Sequence, residues 1–408
     1  MVYRIFSFFI AGIFISPNLG GMKKLIAVFV LLPVFLFSVA PDFSEFARRA
    51  ENGERLCVAF FGGSLTVGAN STDPWKTSYR AIISRKLEDR FPMSQFRFID
   101  AALGGTGSQL AVFRLDRDVL AYEPDLVFLD FTINDKAFDF PNPARLAAYE
   151  AVVRRLVLAG IPVLQARFSI KKDGLPNPPP RPLDAEHKKI AEAYGLPQAD
   201  AVALLKERVA TGIADANELW DTPDSVHPGD AGYALYAAAV WDAFEQAISN
   251  AAVCRAPEKM LHAETYVTAN RFHIAANGDL PDVWTRAEPH RIAIAFDFLC
   301  SRWMGTLAVA APGAKPLRFR VRASEVMLFG ESTKKSGAFS VRINGEPAGT
   351  FNANCADGNM RLVKIIASGM DAGNEWLLEI VPELSASEEL RIESICAAGF
   401  PASVAPEN

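Results

Sequence analysis

The amino-acid sequence predicts an α/β part with a parallel sheet covered on both faces, followed by an all-β sandwich. From Glu54 to about Ser249, short continuous apolar runs alternate with stretches of helical period, which is typical of a parallel sheet between helices. After about Arg255 the segments are strand-like, several with period-two alternation, and no long helical pattern separates them. A chain of 408 residues is also too long for one ordinary domain.

The amino end is predicted to be a targeting segment rather than part of the fold. Counting from Met22, the expected true start, MKKLIAVFVLLPVFLFSVA has a short basic region, an apolar stretch and small residues at Ser38 and Ala40. This order is typical of a signal peptide, so we expect export to the periplasm, the exterior or the membrane surface. Pro41, directly after Ala40, would hinder cleavage, and an uncleaved membrane anchor stays open as the alternative.

The first four strands are predicted from the apolar runs RLCVAFF, FRFIDAAL, DLVFLDFT and IPVLQARF. Helices between them are predicted from SYRAIISRKLEDRF and ARLAAYEAVVRRLVLAG, and GDAGYALYAAAVWDAFEQAI predicts the helix that closes this half. The segment DGLPNPPPRPLD, residues 173–184, is too proline-rich for a helix or a central strand. We expect it to be a stiff loop at the carboxyl edge of the sheet, where ligands bind in such folds.

The carboxyl-terminal part is predicted to be built from strands. RIAIAFDF, PLRFRVRASEVMLFG, GAFSVRING, KIIAS, EWLLEIV and ELRIESICAAGF supply them, and Asn344-Gly345 is a hairpin turn signal. We therefore predict a targeting segment at 1–40, an α/β domain at 41–254 and a β-sandwich domain at 255–408. Glycan binding and a purely structural cap on the α/β half both stay open as the role of the sandwich.

Composition narrows the classes of partner. Lys and Arg number 42 against 47 Asp and Glu, and no basic run is long enough to track a phosphate backbone, so nucleic acid is not an expected partner. The five cysteines are scattered and form no CxxC pair, so no metal site is predicted. No cofactor is predicted either.

A candidate nucleophile follows the first strand. FFGGSLTVGA, residues 60–69, ends a buried apolar run at two glycines and presents Ser64, the arrangement by which an open α/β sheet offers a hydroxyl to a ligand crevice. A serine needs a base, and in WDTPDSVHPGDAGY Asp224 precedes His227 by three residues. That carboxylate can hold Nδ1–H and leave Nε2 facing Ser64. A glycine turn with a capping serine, and a cap loop with an incidental histidine, are the alternatives.

Two further strand ends offer donors for an oxyanion. DAALGGTGS, residues 100–108, can present a bare backbone N–H, and FTINDKA, residues 131–137, places the amide of Asn134 after an apolar strand. His187 lies three residues after Asp184, but it belongs to a helical stretch and is interpreted as a packed helix residue.

GGSLT, GGTGS, TIND and DSVHP, in this order, resemble the four sequence blocks of the SGNH hydrolases, the GDSL esterase superfamily, over roughly residues 54–250. The resemblance implies a flavodoxin-like three-layer α/β/α sandwich with Ser64 as nucleophile and Asp224 and His227 completing a triad. It also implies that the Gly105 N–H and the Asn134 amide act as oxyanion donors beside the Ser64 N–H.

Two positions depart from the family pattern. The first block has GGS rather than GDS, and Thr132 stands where the family usually has glycine, which predicts an altered pocket wall. The variant resembles a bacterial subgroup with GGS-[IL]-T and VND-like blocks that is associated with polysaccharide. The other serine-hydrolase fold, the α/β-hydrolase, needs G-x-S-x-G, and Thr66 replaces its last glycine.

These features predict an exported serine esterase that removes short acyl groups, acetyl above all, from carbohydrate or polysaccharide through an acyl-enzyme. Two alternatives stay open. A polysaccharide O-acetyltransferase would pass the same acyl group to a sugar hydroxyl instead of water, and a non-catalytic glycan-binding protein would keep the α/β half only as a scaffold.

Overall fold

The computed structural model of the protein describes residues 41–290, 304–356 and 358–407. The predicted targeting segment at 1–40 and the strand predicted from RIAIAFDF, residues 291–298, lie outside the described residues. Within the described ranges no helix has the length and apolar character needed to cross a membrane.

The α/β part is built on a parallel sheet of five strands in the order β2-β1-β3-β4-β5. The strands are β1 (Arg55–Gly62), β2 (Gln95–Ala102), β3 (Leu126–Asp130), β4 (Val163–Arg167) and β5 (Gln198–Asp200). The four predicted strands are confirmed: β1, β3 and β4 are buried over almost their whole length between the helix layers, and the edge strand β2 is only partly buried. This strand order is the flavodoxin-like one, with its topological switch point between β1 and β3.

Helices flank this sheet in two groups, α1 and α3 packing on α9 while α4 packs on α5. Their bounds are α1 (Phe43–Glu51), α2 (Ser64–Val67), α3 (Tyr79–Arg90), α4 (Ser108–Asp118), α5 (Pro143–Leu158), α6 (Pro182–Ala193), α7 (Ala201–Ala210), α8 (Ala216–Leu219) and α9 (Asp230–Ser249). Short 3₁₀ turns occupy Leu120–Tyr122 and Lys171–Gly174. Side-chain caps at Ser78 and Asn142 begin α3 and α5 by accepting backbone N–H groups.

The proline-rich segment 173–184 is shorter as a loop than the sequence predicts. Pro182 occupies the first turn of α6, where a missing N–H costs nothing and the fixed φ suits a helix. The irregular stretch is therefore 175–181, and the prediction that no helix enters this segment is wrong at its carboxyl end.

The described residues of the carboxyl-terminal part form two antiparallel sheets. The first has the order β13-β10-β15-β8-β7, with β6 also pairing with β15, and the second has the order β12-β11-β14-β9-β16. The elements are a 3₁₀ turn (Glu264–Tyr266), β6 (Ala269–His273), α10 (Ile274–Asn277), β7 (Trp284–Ala287), β8 (Leu307–Ala310), β9 (Leu317–Arg322), β10 (Glu325–Ser332), β11 (Ala338–Ile343), β12 (Glu346–Asn352), β13 (Met360–Ser368), β14 (Trp376–Glu383), β15 (Leu390–Ala398) and β16 (Ser403–Pro406). The predicted fold class, an α/β sandwich followed by a β sandwich, is confirmed.

The predicted hairpin joins β11 to β12. Asn344 and Gly345 both have positive φ, 53° and 84°, which a two-residue turn of this hand requires, and Ile343 pairs with Glu346 across it.

The six-stranded sheet is buried on both faces. One face contributes Leu328 and Ile392 to a core shared with the second β sheet. The other face contributes Met327, Phe329 and Cys396 to the core of the α/β part, which continues into the β part without a break. The six-stranded sheet is therefore a middle layer between the α/β part and the second sheet, while the domain boundary at 254 stays a prediction.

Buried ion pairs lie on the same sheet. Arg391 donates to Glu331 at 2.7 Å, and Arg271 donates to Glu393 at 2.9 Å, with all four side chains less than a tenth exposed. Burial alone would raise the pKa of Glu393, but hydrogen bonding from His273 and the charge of Arg271 hold that pKa below its ordinary value.

Candidate active site

Ser64 lies at a sharp strand-to-helix turn. β1 ends at Gly62, and α2 begins at Ser64, with the carbonyl of Gly63 accepting the N–H groups of Thr66 and Val67. A Cβ at Gly62 would stand 2.2 Å from Thr66 Oγ1 and 2.7 Å from a backbone oxygen, so only glycine fits there. The turn presents the hydroxyl at the carboxyl edge of the sheet, beside the switch point.

Ser64, His227 and Asp224 form one chain of polar contacts. His227 Nε2 is 2.7 Å from Ser64 Oγ, and His227 Nδ1 is 2.9 Å from Asp224 Oδ2. The other carboxylate oxygen of Asp224 accepts the backbone N–H groups of Val226 and His227, each at 2.7 Å. One oxygen of Asp224 thus shapes the loop before α9 while the other orients the imidazole.

The pKa of Asp224 is lowered from its ordinary value. Partial burial of the carboxyl would raise that pKa, but hydrogen bonds from the backbone N–H and the imidazole of His227 outweigh it. The group is therefore a carboxylate at neutral pH, the form that orients a histidine.

Asn70 was not predicted from the sequence. Its Nδ2 donates to Asp224 Oδ2 at 2.9 Å, the same oxygen that contacts the imidazole. Asn70 adopts a left-handed backbone with φ of 66°, which asparagine tolerates better than most residues. An asparagine shortly after the Gly68-Ala69 turn was the available signal, but its partner lies 154 residues away.

Asn134 follows β3 and packs directly on Gly63. A Cβ at Gly63 would stand 1.9 Å from Asn134 Oδ1 and 3.4 Å from Nδ2. The GGS block therefore leaves room for the amide, which lies against the backbone just before Ser64.

Gly105 is an exposed residue in the otherwise largely buried loop after β2, and its φ is 67°. Asp135 ties this loop to the one that carries Asn134, because its Oδ1 accepts the Ser108 N–H at 2.8 Å at the start of α4. A Cβ at Gly107 would stand 2.2 Å from the same oxygen. The structure therefore brings the two predicted donor loops together with the Ser64 turn at one edge of the sheet.

Thr132 is fully buried, and its Oγ1 has no hydrogen-bond partner among the described residues. That Thr132 alters the pocket wall stays a prediction.

The segment 171–181 borders the site. The Lys171 N–H donates to the carbonyl of Ser225, within the loop that holds Asp224 and His227. Phe138 lies four residues after Asn134. Its ring centroid is 3.5 Å from Lys172 Nζ and 4.9 Å from Arg181 Cζ. The segment therefore connects the loop after β3 with the histidine loop.

Arg181 anchors that segment from inside. It donates to Asp173 at 2.7 Å, to Asp184 at 2.9 Å and to the carbonyl of Phe168 at 2.9 Å, while its side chain is less than a tenth exposed. Buried charges paired in this way resist movement, because separating them leaves an uncompensated charge.

Asp130, the last residue of β3, is buried beneath the Ser64 turn. Its Oδ2 accepts from Thr66 Oγ1 at 3.2 Å, and Thr66 also contacts the Tyr79 hydroxyl. Burial raises the pKa of Asp130 to about 7.

His187 is a packed helix residue, stacked on Tyr149 with ring centroids 3.9 Å apart. Asp184 does not orient it and instead binds Arg167 and Arg181. Across the described ranges, no group of three or more His, Cys, Asp or Glu side chains is arranged to hold a metal ion.

Comparison with known proteins gives a family match, a curated relative and two solved structures of similar fold. Residues 60–235 match the GDSL-like Lipase/Acylhydrolase family model. An acetylxylan esterase from Geobacillus stearothermophilus is 29% identical over 209 residues, which are 46% of this chain and 92% of that protein. A two-domain esterase active on acetylated mannans superposes with a TM-score of 0.71 at 22% identity, covering 88% of this chain and 95% of that one. A second structure of that esterase, co-crystallised with mannopentaose, superposes with a TM-score of 0.70 at 22% identity, covering 87% of this chain and 94% of that one. The likeness extends over both parts of the fold.

Proposed function

We propose that the function of this protein follows from its family. Residues 60–235 are a domain of the GDSL-like lipase/acylhydrolase family, the SGNH hydrolases. The chain is accordingly a carboxylic ester hydrolase. The curated relative, matched over nearly its whole length, is an acetylxylan esterase. This relationship supports a carbohydrate esterase, and we propose that the ester removed is a short one, with acetyl as the main acyl group.

The proposal for the chemistry depends on one observation, the polar chain from Ser64 through His227 to Asp224. His227 Nε2, 2.7 Å from Ser64 Oγ, is within reach to take the hydroxyl proton as Oγ attacks the ester carbonyl carbon. Asp224 holds the Nδ1–H, so that the lone pair of Nε2 faces the serine and the imidazolium formed is stabilised.

The reaction proceeds in two halves. Attack of Ser64 Oγ gives a tetrahedral intermediate, which collapses to an acyl-serine as the sugar oxygen leaves with the proton from His227. Water then gives a proton to His227 and attacks the acyl-serine, releasing the carboxylic acid and restoring the Ser64 hydroxyl. The serine proton thus leaves on the sugar, a proton from water replaces it, and no cofactor takes part.

In both halves of the reaction, the negative charge that forms on the carbonyl oxygen is the main contribution to the activation free energy. The proposed donors are the backbone N–H groups of Ser64 and Gly105 and the amide of Asn134, whose loops meet at the carboxyl edge of the sheet. Donors fixed by the fold need no reorganisation when the charge forms, which is why such groups contribute strongly to rate.

We also propose that the protein is exported, because the stretch from Met22 to Ala40 has the basic, apolar and small-residue order of a signal peptide. Fusing residues 1–40 to a phosphatase that folds only outside the cytoplasm tests this. Active phosphatase is the expected result, and inactive fusion protein inside the cell would contradict export.

Three variants test the triad: Ser64→Ala, His227→Ala and the double variant. Because both residues act in one proton transfer, we expect nearly equal residual activity on p-nitrophenyl acetate and acetylated xylan in all three. Ser84→Ala on α3 is the control and should retain full activity. Labelling with a fluorophosphonate followed by peptide mapping should mark Ser64. Additive losses, or a label on another serine, would contradict the assignment.

A further inference from the structure

A side chain of the β part, that of Arg361, reaches the Gly105 loop. Arg361 is the second residue of β13, the edge strand of the six-stranded sheet. A Cβ at Gly105 would stand 2.0 Å from Arg361 Nη2, 3.1 Å from Cζ and 3.9 Å from Nε. The guanidinium therefore lies directly against the backbone whose N–H is a proposed oxyanion donor.

A second contact joins the β part to the first turn of α4, directly after this loop. Gln109, two residues beyond Gly107, donates to the Tyr266 hydroxyl at 3.1 Å, and that hydroxyl also bonds to the carboxylate of Glu325. Glu325 begins β10, the strand that pairs with β13 and places Glu331 opposite Arg361. Side-chain contacts at Gly105 and at Gln109 thus join the loop after β2 and the first turn of α4 to the β part.

Arg361 places a largely buried positive charge beside the Gly105 loop. Burial lowers the pKa of Arg361 to about 10, so the group still carries its positive charge at neutral pH. Desolvating a charged group costs free energy that an apolar side chain filling the same space would not cost. A positive charge close to the atom where negative charge forms stabilises the transition state more than the neutral substrate.

From these contacts we infer that Arg361 is a positioning residue of the esterase site, which is completed by the β part. Its guanidinium holds the loop so that the Gly105 N–H points at the ester oxygen, and it adds positive charge on that side of the site. This inference rests on the proposed function, because it assigns Arg361 to the same reaction. It also gives the β part a direct role in the rate of that reaction.

Replacing the charge tests the inference. For Arg361→Met we expect kcat on p-nitrophenyl acetate to fall by about tenfold or more with little change in KM, since the effect is on the transition state. Arg361→Lys keeps the charge without the planar fork and should recover part of the lost kcat. Arg342→Met, at an exposed arginine on β11, is the matched control and should leave kcat unchanged.

The outcomes separate this inference from the proposed function. If the wild-type protein does not hydrolyse p-nitrophenyl acetate or acetylated xylan, the proposed function itself fails. If the wild type is active and Arg361→Met keeps its kcat, Arg361 has no part in the reaction. A change confined to KM for acetylated xylan would also overturn the inference, because it would make Arg361 a glycan contact.

Thermal unfolding of the Arg361→Met protein shows whether this variant folds. If it does not, Arg361→Lys provides the test. A folded Arg361→Lys protein with reduced kcat and unchanged KM would then support the inference. A folded Arg361→Lys protein with wild-type kcat would overturn it, because the planar guanidinium would not be needed to position the loop.

Discussion

At the scale of single residues, the contact between Gly63 and Asn134 accounts for the glycine at position 63 in the GGS block. The family pattern has aspartate where this chain has Gly63, and here the space beside the backbone is taken by the Asn134 amide. Any side chain at 63 would have to displace that amide, because the contact would be shorter than real Cβ atoms ever make. The absence of a side chain at 63 and the position of the amide are therefore linked.

Asn134→Ala removes one proposed oxyanion donor. We expect kcat to fall by on the order of 10²-fold while KM changes little, because the donor acts mainly in the transition state. Steady-state kinetics on p-nitrophenyl acetate and on acetylated xylan measure both constants. A change confined to KM would instead make Asn134 a substrate contact.

Gly63→Ala should act through Asn134. The added Cβ would meet the amide oxygen, so we expect kcat to fall by about tenfold or more as the donor is pushed aside. In an Asn134→Ala background the same change should cost little further activity. Gly278→Ala, where a Cβ meets only ordinary van der Waals contact, is the control. Equal losses from Gly63→Ala in both backgrounds would contradict this coupling.

The sequence predicted those candidate site residues that are marked by the residues next to them in the chain. Ser64 follows two glycines at a strand end, and Asp224 and His227 are three residues apart, so local pattern is informative. Asn70 and Arg361 were missed because their roles depend on partners more than 150 residues away in the chain. Such a contact exists only after the sheets are assembled, and no spacing rule in one sequence encodes it.

At the scale of elements, we expect the segment 171–181 to limit which acyl groups fit. It lies between the loop after β3 and the histidine loop, and Arg181 fixes it through two buried aspartates. Prolines at 176, 178, 179 and 180 restrict its backbone further. A segment held in this way can wall a pocket but is a poor lid for a long apolar chain.

We expect p-nitrophenyl acetate to be the best ester, with kcat/KM falling steeply by octanoate. In an open apolar channel each buried methylene would instead gain about 0.8 kcal/mol, and kcat/KM would rise with chain length. A series of p-nitrophenyl esters from two to twelve carbons, on the order of six substrates, measures the trend. A maximum at eight carbons or more would point to a lipase or thioesterase.

Elements were predictable where one physical signal dominated. β1, β3 and β4 are buried over almost their whole length because helices cover both faces of their sheet, whereas β2 lies at the sheet edge and is only partly buried. β5 has only three residues, too few for a periodic pattern, and it pairs at the sheet edge with β4. The start of α6 was missed because Pro182 follows a run of prolines typical of a loop, although a first-turn proline is favourable.

At the scale of the whole molecule, Asp130 links stability to pH. An unfolded aspartate loses its proton near its ordinary pKa of 3.8, whereas burial raises the pKa of Asp130 to about 7 in the fold. Between these values the folded state holds a proton that the unfolded state has lost, so raising the pH lowers the free energy of unfolding. Above about pH 7 both states are ionised and this contribution is constant.

Asp130→Asn should remove that dependence. We expect the free energy of unfolding of the variant, relative to the wild type, to rise between pH 5 and 7 by up to about 1.4 kcal/mol per pH unit. Urea unfolding at several pH values measures it. Asp139→Asn, at an exposed aspartate, should show no such slope. A difference independent of pH would mean that Asp130 is already ionised in the fold.

The six-stranded sheet, covered on both faces, limits how the protein can be cut or recombined. A binding module on a flexible tether can be exchanged between enzymes because it carries its own solvated surface. Here Met327 and Phe329 on one side of β10 would face water after such an excision, together with ion pairs such as Glu331 and Arg391. An engineer who wants to alter glycan preference should therefore graft loops onto the intact molecule rather than swap its carboxyl-terminal half.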